Sequence, residues 1–178
     1  MGTSTRPCGV CTTIFDEAIS IDGNSWNAYY QRAIANENLH KFDAALEDYQ
    51  AVLRLNPNLV EAATARAAIF ADKGDVHRAV DELSKVIDRK ASVEAHYRRG
   101  DGYVALKQYD KAIEDFTWVI EQVRDAPYVY FARANAKRAI GDLAGASEDE
   151  RVADSFDRGK QRLQEELQLK KEQVVVQQ

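Results

Sequence analysis

The sequence contains little glycine, proline and cysteine, and it lacks long apolar runs. Nine glycines and three prolines make up about 7% of the 178 residues, against about 12% in average proteins, which counts against a turn-rich all-β fold. Two cysteines are too few for a small disulfide-stapled domain. No apolar run approaches about 18 residues and residues 1–25 lack a basic-then-apolar leader, so neither a membrane span nor secretion is expected. The expected location is therefore the cytoplasm or another reducing intracellular compartment.

Basic residues are fewer than acidic residues. The chain has 24 Lys and Arg against 29 Asp and Glu, a formal net charge of −5, so it lacks the electrostatic footprint of a duplex-binding protein. What the chain does have is alanine, the strongest helix former, at 26 positions. A length of 178 residues suits one domain or a short array with a substantial core.

The chain repeats itself with a period of about 34 residues. Spacings of 34, 33 and 34 separate four alanines, each followed by an apolar or small residue and an acidic pair: Ala45, Ala79, Ala112 and Ala146. Twelve residues before each lies another small residue that lets two helices approach closely: Ala33, Ala67, Gly100 and Ala134. Polar or helix-stopping pairs lie between, at His40-Lys41, Gly74-Asp75, Lys107-Gln108 and Gly141-Asp142. Each unit is therefore predicted to be a helix, a tight turn and a helix.

On these residues the chain resembles the tetratricopeptide repeat (TPR) proteins. Residues 26–59 carry Ala33, Phe42, Ala45, Tyr49 and Pro57 on the family's pattern. The resemblance implies an all-α fold, a right-handed superhelical solenoid of helix-turn-helix hairpins. The four repeats are predicted at 26–59, 60–92, 93–126 and 127–160.

Both ends of the chain are predicted to differ from these repeats. Residues 1–10 are expected to be disordered or vector-derived, and residues 11–25 to form the second helix of a truncated upstream repeat, as in a fragment of a longer array. A natural start with one capping helix is the alternative. Residues 161–178 are predicted to form a C-terminal capping helix and tail, with a one-sided apolar stripe. Ile14 and Phe15 on the N-terminal helix predict self-association through that edge.

No group of residues predicts catalysis, a metal site or a cofactor. Cys8 and Cys11 have the spacing of a redox dithiol or half a zinc site, but no strand and no further ligands accompany them, so incidental packing is favoured. The acidic pairs recur in every repeat, which is expected of a solvated outer face, since an acid–base pair is needed only once. Gly102 is predicted to be a tolerated helical glycine that costs about 1 kcal/mol. The chain is therefore predicted not to be an enzyme.

The TPR resemblance implies a concave groove that is built from the first helix of each hairpin and binds peptides. The candidate peptide-binding residues at groove positions are Tyr30, Ile34, Tyr97, Arg98, Tyr128, Phe131, Asn135 and Arg138. Aromatic and Arg side chains are favoured interface anchors, and the expected ligand is a segment that mixes apolar and acidic residues. The alternative is that Tyr97 and Phe131 pack between hairpins, or that the C-terminal helix fills the groove.

The same resemblance disfavours one class of partner. Chaperone-binding members hold a C-terminal carboxylate with Lys, Asn, Asn, Lys and Arg, and the corresponding places here are Tyr30, Ile34, Ala65, Glu94 and Arg98. Starting one repeat later gives no match at all: Thr64, Ala68, Arg98, Tyr128 and Ala132. The expected partner is another protein or peptide, with an RNA-binding helical repeat as the alternative. The charge of −5 and the absence of a basic stripe recurring at one position per repeat count against RNA.

Overall fold

The fold consists of short helices of 13 or 14 residues joined by tight connections. The computed structural model describes residues 8–156 and 158–159, with side chains from residue 12 onward. The helices are α1 (Cys8–Ile21), α2 (Trp26–Asn38), α3 (Phe42–Leu55), α4 (Val60–Asp72), α5 (Val76–Arg89), α6 (Val93–Ala105), α7 (Tyr109–Gln122), α8 (Pro127–Ala139) and α9 (143–156). The described residues include no strand, which confirms the predicted all-α class. None of the described helices is long and apolar enough to cross a membrane.

The chain divides into two compact units, residues 1–102 and 103–178. In the first unit each helix from α1 to α4 packs against the next one along the chain. Small and large side chains alternate in the buried layers, as the repeat pattern predicts: Ala33, Ala45, Tyr49, Val52, Ala62 and Ile69 form one cluster, and Ala63, Ala67, Ala79, Leu83, Val86 and Ala95 form the next. The buried alanines allow the close helix approach on which this stacking depends.

The second unit contains the last turn of α6 together with α7, α8 and α9. Helices α7 and α8 pack against each other. Ala112, Ala134 and Ala146, which the repeat pattern marks as close-packed, are all buried in this unit. The ring of Phe156 on α9 lies 6.0 Å from that of Tyr130 on α8, so α9 also contacts α8.

The turn inside each hairpin has the same backbone conformation. His40, Gly74, Lys107 and Gly141 all have positive φ values, between 56° and 87°. In each turn the amide of the positive-φ residue donates to the carbonyl of the residue three positions earlier. The amide of the following residue donates to the carbonyl five positions before it, which is the hydrogen-bond pattern of a Schellman helix end. Gly74 and Gly141 suit this left-handed conformation, whereas His40 and Lys107 adopt it without that advantage. The four predicted turn positions are confirmed.

Two expectations about individual residues need correction. α1 begins at Cys8, three residues before the predicted start at Cys11. Gly102 is not merely tolerated, because a Cβ built there would lie 2.7 Å from Cγ2 of Val80 in the same unit. Gly102 lies inside α6 and Val80 inside α5, so the helical periodicity of the sequence did not reveal that the two residues approach each other closely.

The predicted repeat ranges each contain two helices. α2 and α3 lie within 26–59, α4 and α5 within 60–92, and α6 and α7 within 93–126. The predicted capping helix at 161–178 and most of the N-terminal range 1–10 lie outside the described residues.

Candidate functional site

The predicted groove residues of the first hairpin are half-buried and lie close to acidic groups. Tyr30 on α2 packs edge-on against Tyr49 of α3, with ring centroids 6.0 Å apart, and Ile34 is half-buried one turn further along. The Tyr49 hydroxyl donates to Oε2 of Glu37 at 2.8 Å. Burial raises the pKa of Tyr30, and the nearby carboxylates of Glu61 and Glu37 raise it further. This part of the face is therefore negative and unfavourable to an acidic ligand.

On α6 the two candidate residues interact with acids of their own helix. Nε of Arg98 lies 2.5 Å from Oε1 of Glu94, one turn earlier. The Tyr97 hydroxyl forms a hydrogen bond with Asp101. Partial burial raises the pKa of Asp101 and Glu94 raises it further, although Arg98 and Tyr97 act in the opposite direction. Arg98 is therefore already neutralised, and a ligand carboxylate would have to compete with Glu94.

In the second unit the candidate residues lie along α8 at intervals of three or four residues. Tyr128 is 53% exposed and Phe131 is 39% exposed, so both present apolar area to solvent. Nη2 of Arg138 lies 2.5 Å from Oε1 of Glu150 on α9, and its Nη1 donates to Oδ1 of Asn135 at 3.2 Å. The second predicted ligand cation is therefore also paired within the protein.

The prediction that the acidic pairs form a solvated outer face is wrong for the second member of each pair. Glu47, Asp81, Glu114 and Glu148 are exposed as expected, but Asp48, Asp115 and Asp149 are buried and Glu82 is half-buried. The physical reason is an Arg on the first helix of the repeat. Nε and Nη2 of Arg32 donate to the two carboxylate oxygens of Asp48 at 3.0 and 2.6 Å.

The same pairing occurs in other repeats, each time between an Arg and the acidic residue sixteen positions later. Nε and Nη2 of Arg133 donate to the two oxygens of Asp149 at 2.9 and 2.7 Å, and Arg66 pairs with Glu82. A bidentate Arg–carboxylate contact satisfies both buried charges. Arg99 and Asp115 occupy the same places in the third repeat's sequence. A basic residue does recur at one position per repeat, since Arg occupies positions 32, 66, 99 and 133. The pairs at 32, 66 and 133 leave no exposed basic stripe there.

The same arginines also contact the second helix of the preceding repeat. Arg32 Nη1 lies 2.6 Å from Oδ1 of Asp16 on α1, and Arg133 Nη1 donates to Oγ1 of Thr117 on α7 at 3.0 Å. Arg99 Nη1 donates to Oγ of Ser84 on α5 at 3.2 Å. These three arginines thus fix α2, α6 and α8 against the hairpin before each of them.

Metal binding and self-association are the remaining expectations from the sequence. No group of three or more His, Cys, Asp or Glu in this part of the chain could hold a metal ion. The side chains of Cys8 and Cys11 lie outside the described set. Ile14 on α1 is half exposed and Phe15 is partly buried, so the predicted association through this helix stays a prediction.

Two sequence models of the tetratricopeptide repeat match the chain. One matches residues 26–59 and the other residues 97–159, which together make up more than half of the chain. Their ranges include the Arg32–Asp48 and Arg133–Asp149 pairs.

Several curated proteins are similar to the chain over part of their length. A tetratricopeptide repeat and J domain-containing co-chaperone, DNJ1 of Cryptococcus neoformans, is 38% identical over 60% of this chain and 21% of its own. Human tetratricopeptide repeat protein 13 is 30% identical over 64% of this chain and 15% of its own. RNA polymerase-associated protein CTR9 of Saccharomyces cerevisiae is 27% identical over 64% of this chain and 12% of its own. The chain thus spans about a fifth or less of these relatives.

Solved structures of MamA share the fold. A crystal structure of MamA superimposes with a TM-score of 0.79 at 18% identity, covering 85% of this chain and 89% of that one. A MamA chain from Desulfovibrio magneticus, beginning at its residue 41, gives 0.77 at 21% identity, covering 85% and 86%. At this level of identity the likeness concerns the fold alone.

Proposed function

Because the chain belongs to the tetratricopeptide repeat family and serves as a protein-interaction scaffold, we propose that it binds a peptide segment of a partner protein along the exposed face of α8. The supporting observation is the pair of exposed aromatic side chains on this face, Tyr128 and Phe131. Their spacing of three residues places them on one side of the helix. Burying exposed aromatic area against a partner is favourable by about 25 cal/mol per Å².

The polar groups beside these rings suggest what the ligand offers. Asn135 uses its Oδ1 to accept from Arg138, which leaves its Nδ2 group facing away from that bond. An amide N–H of this kind donates to a backbone carbonyl of an extended peptide. Arg138 is already paired with Glu150, so an acidic side chain gains little there. The proposed ligand is therefore a segment with a large apolar side chain, and an acidic residue is not required.

The faces in the first unit select against acidic segments. Glu37 and Glu61 lie close enough to Tyr30 to raise the pKa of its hydroxyl, and Glu94 neutralises Arg98. Like charges brought together at an interface suppress wrong partners. A segment bound to these faces of the first unit is therefore neutral or basic.

A displayed library of random peptides provides the ligand for the test. Peptides selected on the full chain are measured by calorimetry against the wild type and single variants. We expect Phe131→Ala to weaken binding by about 1–3 kcal/mol, that is about five- to 150-fold, because an aromatic anchor that the ligand would bury is lost. Arg138→Ala should have a smaller effect because its guanidinium is already engaged by Glu150.

Two control variants separate this face from general surface effects. Leu143→Ala removes another exposed apolar side chain of the same unit, and Glu47→Ala removes an exposed acid from α3. Both should bind as the wild type does, with unchanged helicity. Equal affinities for Phe131→Ala and Leu143→Ala would exclude α8 as the binding face. Selective, salt-sensitive binding of single-stranded RNA in place of peptides would support the RNA-binding alternative.

A further inference from the structure

A cavity lies at the open end of the hairpin formed by α4 and α5, within the first unit. Its volume is about 250 Å³, and its apolar lining comes from Leu59, Val60 and Val86. Pro57 and Asn58 also line it, and Arg89, the last residue of α5, and Lys90, the residue that follows it, add positive charge. None of the groove residues discussed above lines this cavity, named here the α4–α5 cavity.

The volume of the α4–α5 cavity restricts the size of its occupant. An engineered cavity of about 150 Å³ takes one benzene ring, whereas sites for drug-sized ligands and cofactors have volumes of about 300–1,000 Å³. A cavity of about 250 Å³ therefore fits one large apolar side chain and is too small for a cofactor.

The charge at the cavity is not balanced by the described part of the protein. Nη1 of Arg89 donates to the neutral carbonyl of Pro57 at 2.9 Å, which holds the guanidinium at the cavity. Neither Arg89 nor Lys90 forms an ion pair with any described residue, in contrast to Arg32, Arg66 and Arg133. No acidic residue lines the cavity. Two cations without acidic partners beside an apolar floor are complementary to a ligand that is apolar at one point and acidic at another.

The positive charge belongs to this hairpin and is not a requirement of the repeat. At the place of Arg89 the first repeat has Leu55 and the third has Gln122, and at the place of Lys90 the first repeat has Asn56. The repeat fold therefore forms without cations at these positions. Favourable interaction with the carboxyl end of α5 accounts for one basic residue in its last turn, but not for its position beside a cavity.

We propose that the α4–α5 cavity binds an extended peptide segment in which a large apolar residue and an acidic residue are separated by one residue. In an extended chain, side chains two positions apart lie on the same side, about 7 Å from each other. The apolar side chain enters the space between Leu59, Val60 and Val86, and the carboxylate meets Arg89 and Lys90. Adjacent apolar and acidic residues would point in opposite directions and would not fill both parts.

The test uses the full chain and the blocked peptide Ac-GLGEG-NH2. Methyl NMR spectra follow Leu59, Val60 and Val86 during the titration. The matched variant is Arg89→Gln with Lys90→Asn, because Gln and Asn are the residues that other repeats carry at these places. We expect the peptide to shift these methyl signals, and the double variant to raise the Kd about fivefold.

Changes in the peptide test the same contacts without altering the protein. Replacing its Glu by Gln should also raise the Kd about fivefold, and replacing its Leu by Gly should abolish the methyl shifts. Leu143→Ala should bind the peptide as the wild type does, and the methyl shifts of Leu59, Val60 and Val86 separate this cavity from the α8 face. Equal Kd values for the Glu and Gln peptides, or no methyl shifts with Ac-GLGEG-NH2, would overturn the proposal.

Discussion

The turn between α6 and α7 offers a direct test of the backbone conformation in the repeats. Lys107 has a φ of 58°, and Gln108, the N-cap of α7, makes no capping hydrogen bond through its side chain. The equivalent turn after α8 has Gly141 at positive φ and Asp142 at the N-cap, whose Oδ1 accepts from the amide of Gly145 at 2.9 Å. We therefore predict that Lys107→Gly combined with Gln108→Asp stabilises the protein.

The expected magnitude has two parts. A non-glycine residue in the left-handed region costs about 1–2 kcal/mol, and glycine's greater freedom in the unfolded chain offsets about 0.4–1 kcal/mol of that gain. Replacing Lys107 should therefore contribute about 0.5–1 kcal/mol. An Asp at the N-cap contributes about 1 kcal/mol more. A total of about 1.5–2 kcal/mol corresponds to a rise in Tm of about 3–8 °C for a chain of this size.

The assay is thermal and urea unfolding followed by circular dichroism. Lys107→Ala is the matched control, because it removes the same side chain but keeps a Cβ in the left-handed region. Gly141→Ala tests the reverse change and should destabilise by about 1 kcal/mol. No atom lies within 4 Å of a Cβ built at Gly141, so its effect comes from the backbone alone. His40 is less suitable, since its ring contacts that of Phe42, with centroids 5.8 Å apart.

The comparison between Lys107→Gly and Lys107→Ala tests whether the positive φ at residue 107 destabilises the folded protein. If both variants have the same Tm, a Cβ in this conformation has no measurable cost. A Gly141→Ala variant that is more stable than the wild type would also contradict the expected cost of a Cβ at positive φ.

Three further predictions concern packing and charge. Ala112→Leu should lower stability by about 1–3 kcal/mol in urea unfolding, because Ala112 is fully buried and a larger side chain forces its neighbours apart. Gly102→Ala should lower the Tm, because the contact with the stiff, buried Val80 outweighs a helix-propensity gain of about 1 kcal/mol. Burial raises the pKa of Asp149, but Arg133 and Lys137 outweigh it and hold that pKa below its usual value. The stability this provides is complete above about pH 4 and is lost as the pH falls through the folded-state pKa, so Asp149→Asn should flatten the acid limb of an unfolding-versus-pH curve.

The repeat pattern was sufficient to predict the buried small residues. Ala33, Ala45, Ala67 and Ala79 are all buried, because a helix pair at this spacing tolerates only small side chains where the two helices meet. The turns were also predictable, although for different reasons. Gly74 predicts a turn because glycine adopts positive φ readily, whereas the turn at Lys107 was located only through its distance from the other turns.

The ion pairs and the cavity at the surface were harder to predict from the sequence. Groove positions were assigned by counting, but counting does not show that Arg98 and Arg138 are paired with Glu94 and Glu150. The first pair is one helical turn apart and was detectable as a spacing of four. The second joins two helices and depends on an acid at a position where the family has a large apolar residue. The α4–α5 cavity likewise depends on a loop and a helix end that are distant in the sequence.

The buried acids show how the missing information was nevertheless present in the sequence. A carboxylate on a second helix is buried when a guanidinium sixteen residues earlier faces it, as Arg32 faces Asp48 and Arg133 faces Asp149. Both members recur with the repeat period, so they are visible when residue pairs are compared instead of single residues. Replacing a buried ion pair with apolar residues is often neutral, but removing one partner costs about 3–5 kcal/mol. The pairs therefore fix the register of the two helices more than they add stability, since a shift by one turn would leave a buried carboxylate without its cation.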